Sequence, residues 1–201
     1  MNQSIERSIK DRVKRIALDQ GREFGAVWLE VVLERWLARI HKSNYKEHFI
    51  FKGGMCLREY LPIGRETQDL DFLLKGLPAT RDALVKTFDE ISQIDLEDGF
   101  SFKAISVSDL AHPHMKYPGF AITMRAELSQ TRTPLRIDIG IGDIVKPQNL
   151  TIHLSENKGG PLFEKEIDLW AYSPEAIFAE KFETAVKRDS LNSRMKDYHD
   201  L

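Results

Sequence analysis

The segment "TQDLDFLLKG", residues 67–76, admits few folds. Alternation along a strand puts residues i and i+2 on one face. Asp69 and Asp71 therefore share a face, while Leu70 and Phe72 enter a core behind them. Two carboxylates about 6 Å apart repel by roughly 3 kcal/mol at an effective dielectric near 20. A chain keeps such a pair most readily around a cation. Oxygen ligands with no cysteine or histidine beside them point to Mg²⁺ or Mn²⁺ rather than zinc.

A second segment repeats the pattern. In "PLRIDIGIGD", Leu135, Ile137, Ile139 and Ile141 point one way, and Arg136 and Asp138 the other. Asp138 is the only acid on its strand's polar face. Three carboxylates on adjacent strands can hold two metals, which would clamp the attacking and leaving oxygens of a displacement at phosphorus. Upstream, "HFIFKGG" reads as a short strand closed by a glycine turn. Gly53 and Gly54 would let backbone N–H groups approach a triphosphate with no β-carbon in the way. Lys52 either meets a phosphate or faces solvent. A lone "DLD" is common and Gly-Gly marks any tight turn. The order glycine pair, helix, "DLD" strand and single-Asp strand carries the inference.

The rest of the chain supplies a frame for these strands. Ile5, Ile9, Val13, Ile16 and Ala17 recur at helical spacing up to a stop at Gly21. A second helix is predicted over about residues 24–40, so the first fifty residues form a helical hairpin. "MCLREYL" and residues 79–91 read as helices, and residues 100–107 and 119–128 as half-buried strands. In "SPEAIFAEKFETAVKR", Ser173 is the N-cap and Pro174 the first helical residue. The fold class is α/β (α+β): a small mixed sheet flanked by helices. Residues 1–48 form a helical segment packed on a core that spans 49–201.

With 201 residues the chain can bury roughly 70% of its unfolded surface. A formal net charge of −2 argues against wrapping in nucleic acid by overall charge. A local run, Arg35, Arg39, Lys42 and Lys46, nevertheless offers a place for an RNA backbone. Cys56 is the single cysteine, so neither an internal disulfide nor a cysteine-rich zinc site is possible. No window approaches the ~18 apolar residues of a membrane span, and a cytoplasmic location is expected. Trp28 and Trp36 read as core. His112 and His114 flank a proline and read as a surface loop rather than a metal pair. Arg65 and Thr67 are either substrate contacts or ordinary turn residues.

"KGG", fourteen residues and "DLDF" resemble the signature of the nucleotidyltransferase superfamily. More closely, the chain resembles the AbiEii-type nucleotidyltransferases, toxins of abortive-infection and toxin–antitoxin pairs. The likeness runs almost end to end, through "RETQDLDF", "LRIDIGIGD", "SPEAIFAEKFETAVKR" and "NSRMKDYHDL". It implies that Lys181 contacts the nucleotide phosphates, with Arg188 two helical turns on, and that Asp197 of the "KD" motif is needed for activity. It also implies an NTP substrate, phage defence through translation arrest, the 3′ end of tRNA as acceptor, and a separately encoded antitoxin as partner. Members of the family continue into further helices beyond this motif, so a missing C-terminal part and weakened acceptor recognition are expected. Transfer to a small molecule or a protein hydroxyl is an alternative. So is a non-catalytic nucleotide-binding module.

Overall fold

The computed structural model describes residues 4–62, 66–110, 119–186 and 199–201 in full, and the backbone alone at 2, 3, 187 and 188. Two helices open the chain, α1 (Asn2–Gln20) and α2 (Phe24–Lys42). Strand β1 (Phe49–Lys52) runs directly into the short helix α3 (Gly53–Arg58), and β2 (Asp69–Leu74) and α4 (Arg81–Ser92) follow. Then come β3 (Phe100–Leu110), β4 (Gly119–Leu128), β5 (Thr131–Ile141), β6 (Gln148–His153), β7 (Glu156–Asn157), β8 (Gly160–Pro161) and β9 (Glu166–Ala171). Helix α5 (Pro174–Arg188) completes the series. The mixed α/β architecture is the one expected.

Seven strands form one mixed sheet in the order β3-β4-β5-β2-β1-β9-β6. Strand β2 lies near its middle, antiparallel to β1 and parallel to β5. Phe49, Phe51 and Phe72 share one face, where Phe49 meets Phe88 of α4 and Phe88 meets Trp36 of α2. Helix α2 is buried almost all round from Val31 to Ile40, so this face is dry. The opposite face carries Lys52, Asp69 and Asp71, and α3 and α5 approach it. Local signals start the elements as the sequence predicts. The Ser173 hydroxyl accepts the Ala176 N–H at 3.3 Å, and Gly21 ends α1 with φ +64°.

The expected basic run is not a surface feature at Arg35 and Arg39. Arg35 and Arg39 are only 1% exposed and point inward. Arg35 donates to Asp98 at 2.7 Å and also pairs with Glu164. Arg39 donates to both oxygens of Asp98 at 2.9 Å and to the Phe100 carbonyl at 2.8 Å. The guanidinium groups lie over the Phe163 and Phe102 rings. Only Lys42 and Lys46 of the run remain at the surface. Four residues apart on a helix that is buried all round, the two arginines had no outward direction to take. Asp98→Ala would strand the buried Arg39 and leave Arg35 with Glu164 alone, and should destabilise the fold by about 3–5 kcal/mol. Urea denaturation of the variant measures this; a loss below about 1 kcal/mol would contradict the arrangement.

Trp28 and Trp36 are core residues, as read from the sequence, and the Trp28 indole donates to Thr133 at 2.8 Å. Among the described residues, no helix is long and apolar enough to cross a membrane.

Candidate active site

Asp71 is the centre of a short row across three strands. The β1–β2 ladder sets Lys52 opposite it, and the β2–β5 ladder sets Asp138 opposite it on the other side. Asp69 lies one row along, opposite Arg136. The same-face reading of Asp69 and Asp71 therefore holds, and Asp138 comes up beside them.

The electrostatics of the row are unbalanced. Loss of solvation, then the charges of Asp69 and Asp138, push Asp71 up to about 7, against the opposing pull of Lys52. Among the described residues no donor is hydrogen-bonded to the Asp71 carboxylate. Asp138 is better provided, since Arg136 Nε donates to it at 2.9 Å and Nη2 at 3.4 Å. Gly53 closes the site from above with φ +74°. A Cβ built there would lie 2.0 Å from Asp71 Oδ2, so this carboxylate occupies the space that only a glycine leaves. Gly54, buried beside it, is the second residue of α3.

Lys52 does not face solvent. Its side chain is 9% exposed, and its ammonium donates to Glu180 Oε1 at 2.6 Å and Asp143 Oδ2 at 3.2 Å. The Tyr172 hydroxyl donates to the same Asp143 oxygen at 2.9 Å, and its ring lies 5.4 Å from the ammonium. Burial works against the lysine's charge, but Glu180, Asp143 and Asp71 outweigh it and hold its pKa above the ordinary value. Glu180, Asp143 and Tyr172 went unread in the sequence. They lie roughly 90 to 130 residues from Lys52, and no local pattern joins them.

Lys181 is on the inward side of α5 with Ile177 and Ala185, which are 1% and 7% exposed. Its ammonium is 2.7 Å from Asp200 Oδ2, and the Asp200 side chain is fully buried. Asp200 is another acid that sequence reading passed over in favour of Asp197. Asp197, Arg65, His112 and His114, and the side chain of Arg188, lie outside the described residues. Thr67 keeps its hydroxyl buried with no hydrogen-bond partner among the described residues.

The donor chemistry of Asp69, Asp71 and Asp138 suits a hard divalent cation. The three are not drawn into a ready cage: among the described residues no group of three or more His, Cys, Asp or Glu side chains is gathered to hold a metal. Asp138 is turned to Arg136 instead.

A family model described as the nucleotidyl transferase AbiEii toxin of a Type IV toxin–antitoxin system matches residues 35–201. The chain belongs to this family. No curated protein matches it. Among solved structures it is similar to JHP933 from Helicobacter pylori, with a TM-score of 0.55 and 14% identity over 89% of this chain. A second H. pylori structure, described as a "putative nucleotidyltransferase", gives 0.53 and 13% over 89%. At these identities the likeness concerns the fold. The chain spans 65% and 67% of those two proteins. AbiEii membership and the nucleotidyltransferase-like fold agree with the resemblance carried by "KGG", "DLDF" and "SPEAIFAEK".

Proposed function

We propose that this AbiEii-family chain transfers a nucleoside monophosphate from an NTP to an acceptor hydroxyl, releasing pyrophosphate, and that the acceptor is the 3′ end of tRNA. One observation carries the reading: Asp71, whose carboxylate has no hydrogen-bond donor among the described residues, lies between Lys52 and Asp138 under a glycine turn that only glycine can make. Asp69 and Asp71 would hold Mg²⁺ or Mn²⁺, with Asp138 as the third oxygen donor. When bound, such a cation supplies Lewis-acid stabilisation of charge on the phosphoryl oxygens. The chain's own residues do the rest. The turn at Gly53 and Gly54 offers backbone N–H groups to the triphosphate, and Lys181 and Arg188 offer positive charge from α5. Asp138, oriented by Arg136, accepts the proton of the incoming hydroxyl. Asp197 takes the supporting role that the family motif gives it. Lys52 borders the phosphate site from the floor.

Family membership supports a biological setting for the reading. The chain acts as the toxin of a toxin–antitoxin or phage-defence pair, in the cytoplasm, with a cognate antitoxin as partner. A protein or small-molecule hydroxyl is the second reading of the acceptor. Burial of Arg35 and Arg39 favours it, because the basic run that suited an RNA backbone is halved.

The test is a labelling assay. The protein is mixed with Mg²⁺, total tRNA and each of the four α-labelled NTPs, and Asp69→Ala is run alongside. Label in tRNA that falls at least about 100-fold in the variant is expected. Label in protein or small molecules alone would replace the acceptor. Absence of label anywhere would overturn the catalytic reading and leave a nucleotide-binding module.

A further inference from the structure

Lys52 and Asp71 are directly opposed residues of an antiparallel pair. Side chains so placed have their Cβ atoms about 4.5–5.5 Å apart, and a lysine and an aspartate there ordinarily close into an ion pair. This pair is open. Among the described residues no ion pair joins Lys52 to Asp71, and the ammonium goes to Glu180 and Asp143 instead. Its path crosses β2 and needs a gap on β5, the strand beyond. A Cβ at Gly140 would come within 3.2 Å of Lys52 Nζ and 3.6 Å of Cε. A glycine slot and two acids from outside the row therefore draw the cation away from the carboxylate beside it.

We propose that Glu180 is a positioning residue which, by holding the Lys52 ammonium, keeps it from closing on Asp71 and leaves that carboxylate available to a divalent cation. The inference rests on the metal-binding reading of Asp69 and Asp71 given above. Glu180 touches neither of them. It acts through Lys52, with Asp143 as the weaker second anchor at 3.2 Å against 2.6 Å. Without the Glu180 charge, the acids left to attract the ammonium are Asp143 and Asp71. The lysine then competes with the metal for one carboxylate.

Mn²⁺ binding, followed by the electron paramagnetic resonance of the free ion without NTP, tests this. E180Q should bind Mn²⁺ about tenfold more weakly than wild type, and D143N should shift the same way by less. K52M should bind at least as tightly as wild type, and K52M/E180Q should behave like K52M. A merely structural role for Glu180 would leave the double variant as weak as E180Q, and that result overturns the proposal. So does an E180Q protein with wild-type affinity. Glu180 and Asp143 are 35% and 38% exposed, so E180Q and D143N are expected to fold, and if K52M does not, an unaltered affinity in E180Q still overturns the proposal. A wild-type protein that binds no Mn²⁺ overturns the underlying metal reading and this inference with it. Wild-type binding with an unaltered E180Q overturns this inference alone.

Discussion

Asp71→Asn should give a protein that transfers no nucleotide and yet unfolds at higher denaturant than wild type. In the free protein Asp71 is short of solvation and also crowded by Asp69 and Asp138, which raises its pKa from 3.8 to about 7. An acid whose pKa is raised on folding binds more protons in the folded state than in the unfolded one. Its cost therefore appears as pH climbs from about 4 to about 7, and is complete above that. Asparagine removes the charge at nearly constant shape. The variant should match wild type near pH 4 and exceed it by about 1–3 kcal/mol at pH 7.5, with EDTA present in both. Transfer should fall by about a thousandfold, a loss of roughly 4 kcal/mol of transition-state stabilisation. Urea curves at the two pH values and a single-turnover assay check both halves. An aspartate kept for structure would behave oppositely, with stability lost on substitution.

Gly53→Ala is the second large effect, and it acts from the other side of the same contact. The residue sits at φ +74°, where alanine is strained, and its Cβ would fall 2.0 Å from Asp71 Oδ2 and 2.7 Å from Asp71 Cβ. A contact with Cβ as well as the carboxylate cannot be relieved by rotating the end of the aspartate alone. Either α3 or the β2 backbone must shift. A stability loss of about 1–3 kcal/mol is expected, from backbone strain and overpacking together. A fall in activity of about 100-fold should follow from the displaced carboxylate, since small misplacements cost that much. Denaturation and steady-state kinetics separate the two effects. Wild-type kinetics in G53A would show that the close approach of turn and carboxylate is not needed.

The parts of this site that lie on one strand were legible in the sequence. Asp69 and Asp71 share a face because a strand has a period of two, and Asp138 is outward because isoleucines flank it. The parts that depend on ladder register were not. Nothing near "FIFK" says that Lys52 will stand opposite Asp71, or that Glu180, near the chain's end, will reach its ammonium. The arginines of α2 failed for a related reason. A charge on a helix reads as solvated until its partners are known, and Asp98 and Glu164 come from distant loops. Strand β9 is a different case. Glu166–Ala171 alternates exposed and buried residues, yet "EIDLWA" was passed over beside the stronger helix signal at Ser173. Its position next to β1 is what brings Tyr172 and α5 onto the site.

The most direct test of nucleotidyl transfer follows two labels of one nucleotide. The NTP that serves best is supplied to the protein with Mg²⁺ and acceptor, labelled either at the α- or at the γ-phosphate. The α label should enter the acceptor while the γ label leaves as pyrophosphate, and Asp71→Asn should do neither. Retention of the γ label on the acceptor would mean phosphoryl transfer instead. Equal labelling by wild type and Asp71→Asn would mean that the Asp69, Asp71 and Asp138 row is not where the chemistry occurs.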